Sequence, residues 1–360
     1  MTFKSIFKIA LIHLFFILLF GCAKDTSSIC VYGIDSLTDG ANGKSYRTFF
    51  DSSYNNFFET SEPGFIHFDY ATSKDENIGY WKSKGIKNMA SSPDYSIDPV
   101  KYSFAGKGVY GFDLNNDSFI YNTRQKEFKN VRIYYLQRPD GGSFKFRFVN
   151  KPKSKGIYQS MKGDFQLKFV ELNKTSISDS IINIFEINGN AAFFGGHYYN
   201  RKNNEQSSAS TLNIAKGGMS LNKVMTLDRE FRRKWYSEFK PNVVLFNAGT
   251  NDRIKVNEKA FKTLLSNYIE DVKKGSPDSN FILVEPNQTA DYQKSFANEY
   301  TLVRKQLASE KKLELLDIPE LIGDYNYFVE NNLMNDGVHP NEEGFKLISK
   351  ISLEFLNSKL

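Results

Sequence analysis

From Thr211 to the C-terminus, short apolar runs alternate with amphipathic stretches, and this alternation limits the possible folds more than any other feature. Leu212–Ala215, Asn242–Ala248, Asn280–Glu285 and Leu313–Ile318 read as strands. Leu227–Phe239, Glu258–Lys274 and Asp291–Lys312 read as helices, and a last helix runs from a cap at Asn341 to about Asn357. Asn242–Ala248 is almost continuously apolar, the pattern of a strand buried on both faces of a parallel sheet. Parallel neighbours need crossover connections of one hand, so the helices must lie on both faces of that sheet.

One more strand, Ile29–Tyr32, stands far upstream of the others. Aromatic-rich Tyr46–Phe58 reads as an irregular helix covering it. From Phe65 to Tyr199 the texture is different: short strands such as Lys107–Phe112, Val131–Leu136, Ser143–Val149, Phe165–Leu172 and Ile181–Ile187, with turn signals between them. Asn115-Asn116-Asp117, Pro139-Asp140-Gly141-Gly142 and Asn188-Gly189-Asn190 supply those turns, and residues 131–149 read as a hairpin with a longer loop. An all-β sandwich or jelly roll fits this stretch. The expected fold is therefore an α/β unit made of residues 22–64 and 200–360, interrupted by an all-β module at 65–199. A loop around Gly195-Gly196, close to His197, should return the chain to the α/β unit. The module's aromatics include Tyr80, Trp81, Tyr110, Phe112, Tyr134, Tyr135, Phe193 and Phe194. Most of them are expected in the core, because aromatics on strands usually point inward.

Residues 1–21 read as a targeting leader. Lys4 and Lys8 precede an apolar run, Ile9–Phe20, that falls short of a membrane span of about 20 residues. Leu19-Phe20-Gly21-Cys22 resembles a bacterial lipobox, although Phe20 is bulkier than the usual residue there. The resemblance implies lipidation of Cys22 as the mature N-terminus and, with Ala23 following, an outer-membrane address in a cell that has one. An ordinary secretory signal and an uncleaved anchor are the alternatives. Lipid on Cys22 leaves Cys30 without an internal partner; otherwise a Cys22–Cys30 bridge is open. The net charge of +6 falls by two with the leader, and no arginine block is interleaved with aromatics, so a nucleic-acid partner is not expected. No cysteine–histidine cluster suggests a metal.

The chemistry gathers around Gly33-Ile34-Asp35-Ser36-Leu37-Thr38-Asp39-Gly40, where a serine follows a short strand between two carboxylates. A serine hydroxyl is a weak nucleophile until a base takes its proton. His13 lies in the leader, and His67 and His197 have no carboxylate in a recognisable frame. His339 follows Asp336 by three residues, and a carboxylate there can hold the second ring nitrogen and stabilise the imidazolium. Taken singly, Gly217-Gly218 reads as a turn, Asn251-Asp252 as a cap for the helix that follows, and Asp336-Gly337 as a turn pair.

Taken in order, Asp35-Ser36-Leu37, Gly218, Gly249-Thr250-Asn251-Asp252 and Asp336/His339 resemble the four blocks of the SGNH (GDSL) hydrolases. One departure is visible: that family usually has glycine directly before Asp-Ser, where this chain has Ile34, with Gly33 one place earlier. The resemblance implies a flavodoxin-like parallel sheet, a catalytic set of Ser36, Asp336 and His339, and an oxyanion hole from the Ser36 and Gly218 N–H groups and the Asn251 amide. It implies no cofactor and no metal. A β-sandwich of carbohydrate-binding type, inserted after the serine block, resembles the peptidoglycan O-acetylesterases, which remove acetyl from the muramic acid C6 hydroxyl. The partners so implied are an O-acetylated glycan and, through the lipid, a membrane facing the periplasm or cell surface. A polysaccharide O-acetyltransferase using the same residues, or a non-catalytic surface lipoprotein that binds glycan, would share these features.

Overall fold

The computed structural model describes residues 29–359, apart from 34–36, 38–45, 58–63, 69–79, 85, 90–91, 93, 112–116, 123–127, 150–154, 175–180 and 201–209. The leader, Cys22 and Ser36 lie outside the described residues. The strands are β1 (Ile29–Tyr32), β2 (Gly64–His67), β3 (Tyr80–Lys84), β4 (Lys87–Asn88), β5 (Val109–Gly111), β6 (Asp117–Asn122), β7 (Asn130–Gln137) and β8 (Ser143–Phe148). They continue as β9 (Ile157–Ser160), β10 (Gln166–Asn173), β11 (Ile181–Asn188), β12 (Ala191–Tyr199), β13 (Ser210–Asn213), β14 (Val243–Asn247), β15 (Asn280–Glu285) and β16 (Glu314–Asp317).

Six of these pair in parallel in the order β2-β13-β1-β14-β15-β16. Side chains alternate between two buried faces. Cys30, Tyr32, Val243 and Leu245 meet Phe50, Tyr54, Ile348 and Leu356 from helices Tyr46–Phe57 and Glu342–Asn357. Val31, Val244 and Phe246 face Trp235, Leu265 and Leu307 from helices Arg229–Phe239, Glu258–Gly275 and Ala297–Lys311. Burial on both faces explains why these strands read as unbroken apolar runs. The α/β sheet with helices on both faces is as expected.

Helix starts follow their caps. Asp228 accepts from Phe231 N–H at 2.9 Å, Asn257 from Ala260 N–H at 2.9 Å and Asn341 from Gly344 N–H at 3.0 Å. The helix expected from Asp291 begins only at Ala297, because the Asp291 carboxylate is engaged by Arg253 and Thr289 instead of capping. Short helices at Ile318–Leu321 and Tyr325–Glu330 have too few turns to show a period, and sequence periodicity passed over them.

One part of the β-rich stretch joins the parallel sheet instead of standing apart. β12 pairs antiparallel with β2, β7 and β5, and β7 with β10, so the parallel sheet continues directly into an antiparallel half. β2 is the joint: antiparallel to β12 and parallel to β13 through Phe65 opposite Leu212. A second, five-stranded antiparallel sheet, β3-β6-β11-β8-β9, packs on that half. Between them lie Ile133, Tyr135 and Phe193 from one sheet and Phe144, Phe146, Ile182 and Ile184 from the other. Gly195-Gly196 is not a loop but part of β12, against expectation. A Cβ at Gly195 would stand 2.5 Å from the Ile66 carbonyl oxygen, so glycine there lets β2 approach, rather than turning the chain.

Candidate active site

Gly33, Gly218 and Asn251 follow the carboxyl ends of the adjacent parallel strands β1, β13 and β14, the edge where open α/β sheets bind ligands. Asp336 and His339 lie between helices Tyr325–Glu330 and Glu342–Asn357. After β1, Gly33 adopts φ +99° and donates its N–H to Leu245 O at 3.1 Å. The left-handed conformation that glycine permits therefore sits one residue before Ile34. Gly33 and Leu37, on either side of residues 34–36, both line a cleft with Tyr32, Leu245 and Asn287.

After β13, Gly218 is exposed at φ +71°, and no described acceptor takes its N–H. After β14, the Asn251 side chain donates from Nδ2 to Met219 O at 2.8 Å, so the Gly218 and Asn251 blocks meet directly. One amide hydrogen is used in that contact; no described acceptor takes the second. Asp252 is fully buried and does not cap the following helix, which Asn257 caps. It reaches back to the loop after Gly218 and accepts from Leu221 N–H at 2.7 Å and Asn222 N–H at 3.1 Å. Burial raises its carboxyl above the usual value and outweighs those two bonds. Sequence reasoning missed this partner, because the donor amides lie some thirty residues upstream and carry no side-chain signature.

Asp336 and His339 are paired, Nδ1 to Oδ2 at 2.9 Å. Asp336 Oδ1 also accepts from the Val338 and His339 backbone N–H groups, each at 2.7 Å. Partial burial opposes ionisation of Asp336, but these hydrogen bonds prevail and hold its carboxyl below the ordinary range. An ionised carboxylate on Nδ1 leaves Nε2 as the ring atom that can accept a proton. The other described histidines play no part here: His67 Nε2 bonds Asn213 O at 2.9 Å inside the sheet, and His197 is buried against Tyr199 and Phe239. Cys30 is a free, fully buried thiol. Among the described residues no cluster could hold a metal ion.

A parallel sheet offering an Asp–His pair, an asparagine amide and an open glycine at one edge has the form of an ester hydrolase site. Residues 179–347 match the GDSL-like Lipase/Acylhydrolase family, and the chain carries a domain of the SGNH (GDSL) hydrolase superfamily. That match includes Gly218, Asn251, Asp336 and His339 and begins after Ser36. The chain is similar in structure to a peptidoglycan O-acetylesterase, with a TM-score of 0.71 over 94% of this chain and 93% of the other, at 10% identity. It also matches a family two carbohydrate esterase from Clostridium thermocellum in complex with cellohexaose (TM-score 0.34, 14% identity, 76% and 99% covered). A lipase/acylhydrolase from Enterococcus faecalis matches over 43% and 78% of the two chains (TM-score 0.36, 16% identity). These last two superpose too loosely to bear on this chain's chemistry. No curated protein sequence matches significantly.

Proposed function

We propose that this protein is a serine esterase that removes O-acetyl groups from a cell-envelope polysaccharide, peptidoglycan acetylated at the muramic acid C6 hydroxyl. The observation that carries the reading is the Asp336–His339 pair at 2.9 Å, on the same sheet edge as Asn251 and Gly218. In this reading Ser36 attacks the acetyl carbonyl while His339 Nε2 takes its proton and Asp336 stabilises the resulting imidazolium. The Asn251 amide and the Gly218 and Ser36 N–H groups receive the oxyanion. His339 then returns the proton to the departing sugar oxygen, and water, activated by the same imidazole, releases acetate from Ser36. The likeness in fold to a peptidoglycan O-acetylesterase, which spans both the parallel and the β-rich regions, supports the substrate class. A lipid on Cys22 would hold the enzyme at the envelope; stable anchoring takes more than one acyl chain.

The test is acetate release from O-acetylated peptidoglycan by the mature protein, with de-O-acetylated polymer and Ser36→Ala as controls. Release from the first alone is expected. Acetyl transfer to a sugar without free acetate would make it a transferase, and no Ser36-dependent reaction at all would leave a glycan-binding protein. Cys22→Ala should move the protein from membrane to soluble fractions; unchanged fractionation would rule the anchor out.

A further inference from the structure

We infer that Arg253 and Asp291 form a bridge that sets the oxyanion-side loop against the Asp336–His339 loop, which makes both of them positioning residues. The inference rests on the proposed roles of Asn251 and His339. Those two residues lie on different segments, Asn251 after β14 and His339 just before the last helix. The loop after β15 lies between them and bonds to both. Arg253 Nε donates to Asp291 Oδ1 and Oδ2 at 3.0 and 3.1 Å. Arg253 Nη1 turns back to Thr250 O, next to Asn251, and Arg253 O accepts from Phe296 N–H at 2.9 Å. Arg253 is thus held through both its guanidinium and its backbone carbonyl.

From Asp291 the connection continues without a gap. Thr289 Oγ1 donates to Asp291 Oδ1 at 2.6 Å, and Ala290 N–H donates to Gly337 O at 2.8 Å. Asn287 Nδ2 reaches Val338 O at 3.4 Å. The contact at Gly337 is close: a Cβ there would meet Ala290 Cβ at 3.2 Å. Gly337 and Val338 are the two residues between Asp336 and His339, so the bridge ends on the segment that shapes the catalytic pair. Partial burial works against the Asp291 charge, yet the bonds from Arg253 and Thr289 hold its carboxyl below the ordinary range. The carboxylate end therefore stays ionised at neutral pH.

Asp291 is more than a third exposed, and an ion pair so placed adds little to stability. Its geometric effect is larger, since a shift of about 1 Å in a reacting group costs as much as ~100-fold in rate. Turnover and stability should therefore separate. Arg253→Met and Asp291→Asn, assayed on p-nitrophenyl acetate, are each expected to lower kcat about tenfold or more, with KM within about twofold and the melting temperature nearly unchanged. The double variant should be no slower than the slower single one, and Arg253→Lys should recover part of the rate. Asn251→Ala and His339→Ala are measured alongside. If both lose activity while Arg253→Met and Asp291→Asn keep full kcat, the bridge proposal alone fails. Losses that are additive, or that simply track a lowered melting temperature, also overturn it. If Asn251→Ala and His339→Ala keep their activity, the catalytic reading fails and the bridge falls with it.

Discussion

The long sheet and the second sheet bury their side chains by different rules. In the parallel half, β14 is buried along Val243–Phe246, with helices on both sides. In the second sheet, β8 alternates: Phe144, Phe146 and Phe148 point inward while Lys145 and Arg147 are half-buried on the outer side. The antiparallel half of the long sheet ought to resemble β8, yet β12 is buried at every residue. The cause is helix Arg229–Phe239, which lies in sequence with the α/β elements but packs on the β-rich half. Phe194 and Tyr134 meet Trp235 at 5.3 and 5.5 Å, while their neighbours Phe193 and Tyr135 face Phe144 at 4.9 and 5.6 Å. A continuous apolar run therefore reports cover on two faces, whichever way its neighbours run.

Predictions that would break or sharpen this contrast differ in size. Ser36→Ala and His339→Ala should each remove activity by roughly 10⁴-fold or more on any acetyl ester, and the pair together little further, since nucleophile and base act as a unit. Substantial turnover by Ser36→Ala would show that the catalytic chemistry is not where the parallel half suggests. Asp336, held below the ordinary carboxylate value, contributes its full stabilisation of the pair above about pH 4 and loses it only as pH falls through that lowered value. An acid limb to activity near neutral pH must then come from another group. Kinetics of Asp336→Asn, recorded across pH, check this.

Trp235→Ala should come next. The indole is fully buried, donates to Tyr102 O at 3.0 Å, stacks on Phe104 at 5.4 Å and touches Phe65 at 5.9 Å. Its removal should cost about 3–5 kcal/mol and lower a single melting transition that both halves share. Two calorimetric transitions, one of them unmoved, would mean that the halves fold as separate units. Tyr158→Ala should have the smallest effect. Tyr158 is 63% exposed on edge strand β9, opposite Lys145. If the β-rich half holds glycan, this change raises KM on polymer a few-fold, leaves kcat alone and has no effect on a small ester. Equal losses on both substrates would instead tie that face to the active site.

Most of the α/β unit was legible, because period and caps are local: Asn341 was readable as the start of the last helix, and Asn280–Glu285 was readable as a strand. Of the β-rich aromatics, Tyr134, Tyr135, Phe193 and Phe194 are buried and Tyr110 is half-buried. Side-chain alternation anticipated that much, but not that Tyr134 and Phe194 would face a helix. The residue types at 218, 251, 336 and 339, and their order, are chemistry that the chain states outright. Partners are another matter. That β2 would join two kinds of sheet through Phe65 and Leu212, that Asp252 would bind the amides of Leu221 and Asn222, and that Arg253 would find Asp291 depended on groups brought together from distant positions. Periodicity tells which face of a strand or helix is buried and chemical identity tells what a side chain can do; only packing of the whole chain selects which strand lies alongside and which acceptor stands within 3 Å.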